Sequence, residues 1–227
     1  MSQNSIEQIE INLRNEALNE RKAALDELAV HPPEVAVPIL QKLANERDFG
    51  LRRLAVMGLG NHKTEASFQT LVNILQQDND SNVLAEAANS IFDFGDPALP
   101  ELVKLFEKSD NWLVRQTVIS LLVETEHHDA LLSVATDALK DDTETVKEIG
   151  ILALGQLLKS PLKNQALALL AQLAEDSEWR TRWRTAIALQ HTQEPQAKEL
   201  ILKLQRDEHF RVVAAALEVA TAWGENL

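Results

Sequence analysis

The chain has no cysteine and no tyrosine among its 227 residues, and only seven glycines and seven prolines. Without cysteine there is no disulfide, no thiolate zinc site and no thiol nucleophile. That composition suits a reducing compartment, and a cytoplasmic location is expected. Scarce Gly and Pro beside abundant Ala and Leu favour helix over turn-rich β structure. No apolar run approaches the roughly 18 residues that a membrane span needs. The N-terminal stretch Met1 to Glu7 is polar and holds no secretory core. Blocks of positive charge are missing too. With 22 Lys and Arg against 35 Asp and Glu, the net charge is −13, which repels a phosphate backbone and argues against nucleic acid as a partner. There is no G-x-S-x-G, no Gly-rich phosphate loop and no H-E-x-x-H. No residue is therefore assigned a catalytic role. The acidic turns holding Glu124, Glu126, Asp141, Asp142 and Glu144 read as solvated.

What the chain does have is a repeat. The segment Asp48 to Gly60 starts at an Asp, carries Arg52 in its first turn and closes on Gly. Aligning Leu51 with Glu20, Val83, Val114, Val146, Thr181 and Phe210 gives intervals of 31, 32, 31, 32, 35 and 29 residues. The next residue is then Arg21, Arg52, Leu84, Arg115, Lys147, Arg182 or Arg211, basic in six of seven. A self-similar period in this range marks stacked helical repeats. Between these segments lie apolar stripes spaced i, i+3, i+4 and i+7, as in Pro33 to Leu43 and Pro97 to Phe106. Pro33, Pro97, Pro161 and Pro195 open them, where a missing N–H costs nothing. Each repeat is thus a helix pair, A then B. The B helices are expected over 20–30, 48–60, 80–94, 110–124, 142–158, 177–190 and 207–223, with the first A helix over 5–18. Neither helix buries its stripe alone; stacking joins them into one core. An Asp at each B-helix start serves as N-cap, and the Arg one turn in reaches that Asp or the Asp of the adjacent repeat.

The D-x-x-x-[VR]-R-x-x-A-x-x-x-L-G flavour of these pairs resembles the HEAT-like repeats of the phycobilin-lyase superfamily. It is carried best by Asp48 to Gly60, Asp142 to Gly155, Asn111 to Ser120 and Glu178 to Leu189, and spans residues 17 to 222. The chain departs from the pattern at Leu84, Phe92 and Val123 and in a stretched sixth repeat. The expected fold is all-α, a right-handed α-solenoid of about seven HEAT-like pairs in a single domain over 1–227. The resemblance implies a phycobiliprotein, or a linear tetrapyrrole (bilin) bound as ligand, as the thing recognised, with no other cofactor. Three roles follow: a non-enzymatic adaptor in phycobilisome turnover or assembly, a lyase subunit that attaches or detaches bilins, or a general scaffold with an unrelated client.

Stepping about 100° per residue around helix B, the aligned position and those four, seven and eight residues later face the core. Positions −2, +2, +5, +6 and +9 lie opposite. B helices line the concave, binding side of such stacks. That face collects Phe49, Trp112 and Trp179 at −2 and Arg53 and Trp183 at +2, with Val56, Met57, Ile119, Ile151, Ile187, Val212 and Ala215. Two readings stand: an aromatic groove for a protein surface or flat chromophore, or a wide apolar face buried against neighbouring helices. The candidate binding set is Phe49, Arg53, Trp112, Trp179, Arg180, Trp183 and Arg184. Arg180, Arg182 and Arg184 around the Trp pair suit the propionates of a tetrapyrrole, since guanidinium pairs carboxylates bidentately. His31, His62, His127, His128 and His191 fall in solvated B-to-A turns and His209 starts the last B helix. Successive turns are too far apart to share an ion, and no metal site is expected.

Overall fold

Apolar stripes at helical spacing produce helices throughout. The computed structural model describes residues 5–224; residues 1–4, which begin the polar stretch, and 225–227 lie outside the described residues. The helices are α1 (Ile6–Asn12), α2 (Leu18–Ala29), α3 (Pro33–Leu43), α4 (Phe49–Asn61), α5 (Glu65–Gln77), α6 (Ser81–Phe92), α7 (Leu99–Lys108), α8 (Trp112–Val123), α9 (His128–Ala138), α10 (Glu144–Leu157), α11 (Lys163–Leu173), α12 (Trp179–Leu189), α13 (Pro195–Leu204) and α14 (Phe210–Ala222). No strand occurs among the described residues. The fold is an all-α solenoid in which odd-numbered helices are A and even-numbered helices are B.

The chain divides into two compact units at residues 118 and 119. In the first, α1 packs on α2, α3 on α4 and α5 on α6, and α2, α4 and α6 pack side by side. The second repeats the arrangement, with α10 against α12 and α12 against α14. Leu28, Leu40, Leu59, Leu71 and Ile91 are fully buried in the first unit, and Leu154, Leu157, Leu170 and Leu189 in the second.

Start signals act locally. Asp48 accepts from the Gly50 and Leu51 amides and Asp80 from those of Asn82 and Val83, as N-caps should. Pro33 and Pro195 sit in first turns. Pro38 lies inside α3, yet the helix continues, because the carbonyl left free one turn back belongs to the solvent-exposed Glu34. The first A helix is shorter than expected. Instead of spanning 5–18, α1 ends at Asn12, because Asn15 turns the chain by accepting the Ala17 amide at 2.9 Å and α2 begins at Leu18.

Candidate functional site

The starts of the B helices are set by a repeated polar turn. Two residues before the N-cap, a short side chain accepts the cap's own N–H. Asp78 does so for Asp80 (2.9 Å), Ser109 for Asn111 (3.2 Å), Asp141 for Thr143 (2.7 Å), Asp176 for Glu178 (2.8 Å) and Asp207 for His209 (2.8 Å). Arginine then clips one turn to the next. Arg182 donates through Nε and Nη2 to Asp207 (2.7 and 2.9 Å), while its Nη1 reaches the carbonyls of Asp176 and Ser177 (2.8 and 3.0 Å). Arg52 repeats this with Asp78 (2.7 and 3.1 Å) and the carbonyls of Glu46 and Arg47. The bidentate Arg182 guanidinium holds the Asp207 carboxyl below its ordinary value despite burial. These Arg residues are scaffold.

The arginine does reach an Asp of the adjacent repeat, Asp207 for Arg182 and Asp78 for Arg52, but that Asp is not the cap. The caps Asp48 and Asp80 bind their own helix amides, and the guanidiniums take Asp78 and Asp207, two residues ahead of a cap. Asp142, Asp176 and Asp207 are not caps; Thr143, Glu178 and His209 occupy those positions. The register of the last repeat shifts with them. His209 caps α14, so buried Val212, not Phe210, is the equivalent of Leu51, and the interval from Thr181 becomes 31 rather than 29. Its follower is Val213, which is not basic.

That shift brings forward residues which the sequence alignment missed. Phe210 is the first residue of α14, as Phe49, Trp112 and Trp179 are of α4, α8 and α12. Phe49, Trp112 and Phe210 are 52, 49 and 73% exposed, a costly placement for aromatic rings in a protein that buries most of its large apolar residues. In the second unit the helix starts meet. The His209 imidazole stacks on Trp179 with centroids 4.0 Å apart and planes 7° apart, and Phe210 follows His209 at 5.1 Å. Trp183 lies 6.3 Å from Trp179. The guanidiniums of Arg180 and Arg211 lie over Trp179 at 4.7 and 5.4 Å. His209 and Arg211 belong to this cluster and were visible only by aligning Asp207 with Asp176.

HEAT repeats are matched over residues 8–91, 69–155 and 132–222. The chain belongs to the HEAT-repeat family. No curated protein sequence matches it. Among solved structures, this HEAT-repeat protein is similar to YibA of Escherichia coli (TM-score 0.68, 16% identity, 97% of this chain and 82% of that one). It is also similar to the CpcE–CpcF complex of phycocyanin lyase from Nostoc sp. PCC7120 (TM-score 0.51, 18% identity, 98% and 96%). Kap121p is a third (TM-score 0.59, 15% identity, 96% and 29%). At these identities the likenesses establish the fold.

The HEAT-repeat helices place the expected binding residues unequally. Phe49 and Trp112 are exposed, Trp179 and Trp183 half-buried, and Arg180 exposed. Arg53 is paired with Glu86 at 2.9 Å, and Arg184, over the Trp183 ring at 4.2 Å, with Glu148 at 2.7 Å. Arg182 is held in the turn. The expected face is narrower than the helical wheel implies. Val56, Ile119, Ile151, Val212 and Ala215 are buried; α4 packs against α2, α3, α5 and α6, α10 against α9, α11 and α12, and α14 against α12 and α13. Met57 stays exposed and Ile187 half-buried.

Elsewhere a polar cleft of about 590 Å³ lies between α3 and α5, lined by Gln41, Asn45, Thr70, Asn73 and Gln77. Among the described residues no group of three or more His, Asp or Glu side chains is arranged to hold a metal. No described helix is long and apolar enough to cross a membrane. His62, expected in a solvated turn, is instead only 5% exposed where the chain folds from α4 into α5, and burial pushes its imidazole below the ordinary value.

Proposed function

We propose that this chain is a binding scaffold that engages phycobiliproteins or their linear tetrapyrrole chromophores through the exposed starts of its B helices. Its place would be phycobilisome turnover or assembly, a role like that of the phycobilisome degradation protein NblB. The observation that carries this reading is the aromatic series at B-helix starts, Phe49, Trp112, Trp179 and Phe210. Phe49, Trp112 and Phe210 are exposed there, and aromatic and Arg side chains are enriched at protein interfaces.

The test is a titration of the purified protein with phycocyanobilin, following Trp emission and the bilin's visible spectrum, beside capture of phycocyanin. Saturable quenching with a changed bilin spectrum supports chromophore handling. Capture of phycocyanin without a bilin response supports a protein client. Replacing Phe49 and Trp112 by Ala should weaken capture by at least about tenfold, as expected for interface anchors. If neither partner binds, the reading is wrong.

A second reading is a lyase subunit, favoured by the likeness to the phycocyanin lyase complex over 98% of this chain. The lack of cysteine is compatible with it, since the acceptor thiol belongs to the client. Transfer of bilin to an apo-phycobiliprotein, measured with and without a second subunit, separates lyase from adaptor.

A further inference from the structure

We infer that Arg180 and Arg211, leaning on Trp179 where α12 and α14 begin, form a clamp for the carboxylates of an acidic peptide segment on a partner protein, with Phe210 as its apolar neighbour. This rests on the reading of the chain as a client-binding scaffold, but not on who the client is.

In a protein of net charge −13, acids are in excess and exposed arginines should find them. Here they do not. The structure gives both guanidiniums ring contacts only, over Trp179 at 4.7 and 5.4 Å, and both residues are exposed. Apart from Glu178, the nearby carboxylates are engaged by other groups. Asp207 and Glu208 pair with Arg182, Glu148 pairs with Arg184, and Asp176 accepts the Glu178 amide; Glu178 itself points to solvent at the N-cap of α12. Arg182 and Arg184 are therefore neutralised, and Arg180 and Arg211 are not.

Geometry then selects the ligand. With an imidazole stacked on it at 4.0 Å and two guanidiniums over it, Trp179 keeps little open face for a flat ring to lie on. A guanidinium drawn to an indole by cation–π attraction keeps N–H groups available, and these take a carboxylate bidentately. Two such edges at adjacent helix starts, where the helix dipoles are also positive, suit carboxylates spaced along a chain. Phe210, 73% exposed beside His209, offers apolar contact next to them.

The experiment uses the full chain and a fluorescein-labelled peptide, Glu-Glu-Glu-Phe-Glu-Glu, with Gln-Gln-Gln-Phe-Gln-Gln as its neutral counterpart, read by anisotropy. Because the whole protein repels an anionic peptide, saturable binding has to come from a local site. The clamp predicts saturable binding of the Glu peptide only, weakening with added salt. Affinity should fall on the order of tenfold or more in the double variant R180Q/R211Q, as charge-assisted pairs are removed. Lys22→Gln on α2, which changes the net charge in the same direction, should leave it unchanged. Both arginines are exposed, and thermal melts verify that the double variant remains folded. Absence of saturable binding at millimolar peptide, equal binding of the Gln peptide, or equal affinity in the double variant each overturns the clamp. The assay contains neither bilin nor phycobiliprotein. Its failure therefore leaves the proposed client standing, while intact peptide binding with a flat bilin and phycocyanin response overturns the client alone.

Discussion

Arg182 shows how much of one residue's chemistry is fixed by its surroundings. Its side chain and that of Asp207 are 9 and 8% exposed, and the guanidinium makes two bonds to the carboxylate and two to turn carbonyls. Arg182→Gln leaves a buried carboxylate unpaired and should destabilise the protein by about 3 kcal/mol in denaturant melts. Arg182→Lys should recover only part of that, since an ammonium is a point donor rather than a planar fork. The pair also predicts a pH dependence. Arg182 first, with the His209 amide assisting, holds Asp207 below its ordinary value of 3.8 against the opposing effect of burial. The unfolded chain therefore binds the proton more readily. The pair's stabilisation is fully present above the unfolded value and is lost as pH falls through the lower folded one. Asp78, where burial alone would raise the carboxyl but Arg52 and nearby amides outweigh it, adds in the same direction. Acid titration of stability should be steeper in the native protein than in the Arg182→Gln variant; parallel curves would show that this pair does not govern it. At one repeat the rung is absent on both sides. Where Leu84 replaces the arginine, Ser109 replaces the acid, so no charge is buried without its partner.

For the elements, the informative glycines are two that face a neighbouring B helix. Gly60 and Gly155 lie in the last turns of α4 and α10. Each lets the next B helix approach closely. A Cβ at Gly155 would sit 2.9 Å from the Ala188 carbonyl oxygen and 3.0 Å from its Cα, whereas at Gly60 it would meet the Ser90 side chain at 3.1 Å. Gly155→Ala should therefore lower stability by about 1–3 kcal/mol, overpacking outweighing the gain in helix propensity. Gly60→Ala should cost less, because its nearest contacts, at 3.1 Å, are longer and the backbone lies 3.4 Å away. A denaturant midpoint for Gly155→Ala at or above the native one would refute the close-packing role. This pair also marks how far the sequence could be read. The 3.6-residue spacing of apolar positions made the helix pairs plain from Pro33 to Ala222, and the fold class followed. Tertiary distance is not periodic, so neither the close approach at Gly155 nor the burial of Val56 and Ile151 was legible in the sequence. Glu148, which neutralises Arg184, lies 36 residues away in sequence. Phe210 was hidden by an alignment of Asp207 to a capping Asp, when its structural equivalents are the turn residues Asp78 and Asp176.

Across the molecule, stability in a stack of helix pairs is a sum of pair strengths and nearest-neighbour contacts, so it should vary along the chain in an order set by burial. In the first unit α4 buries seven of its residues and packs against α2, α3, α5 and α6. α1 is seven residues long, buries Ile9 within its span and packs on α2. A helix that short is unstable without packing, and one partner supplies little. In the second unit α10 also buries seven residues and packs against α9, α11 and α12, whereas α13 buries three. Amide hydrogen exchange should reflect this, since local opening draws on the least supported elements. The amides of α1 should exchange first in the first unit and those of α4 last; in the second, α13 should exchange well before α10. Arg182→Gln, by unclipping the turns before α12 and α14, should speed exchange in those two helices and leave α4 and α6 unchanged. Uniform exchange along all helices would mean that each unit opens as a whole, and the nearest-neighbour description would then fail for this chain.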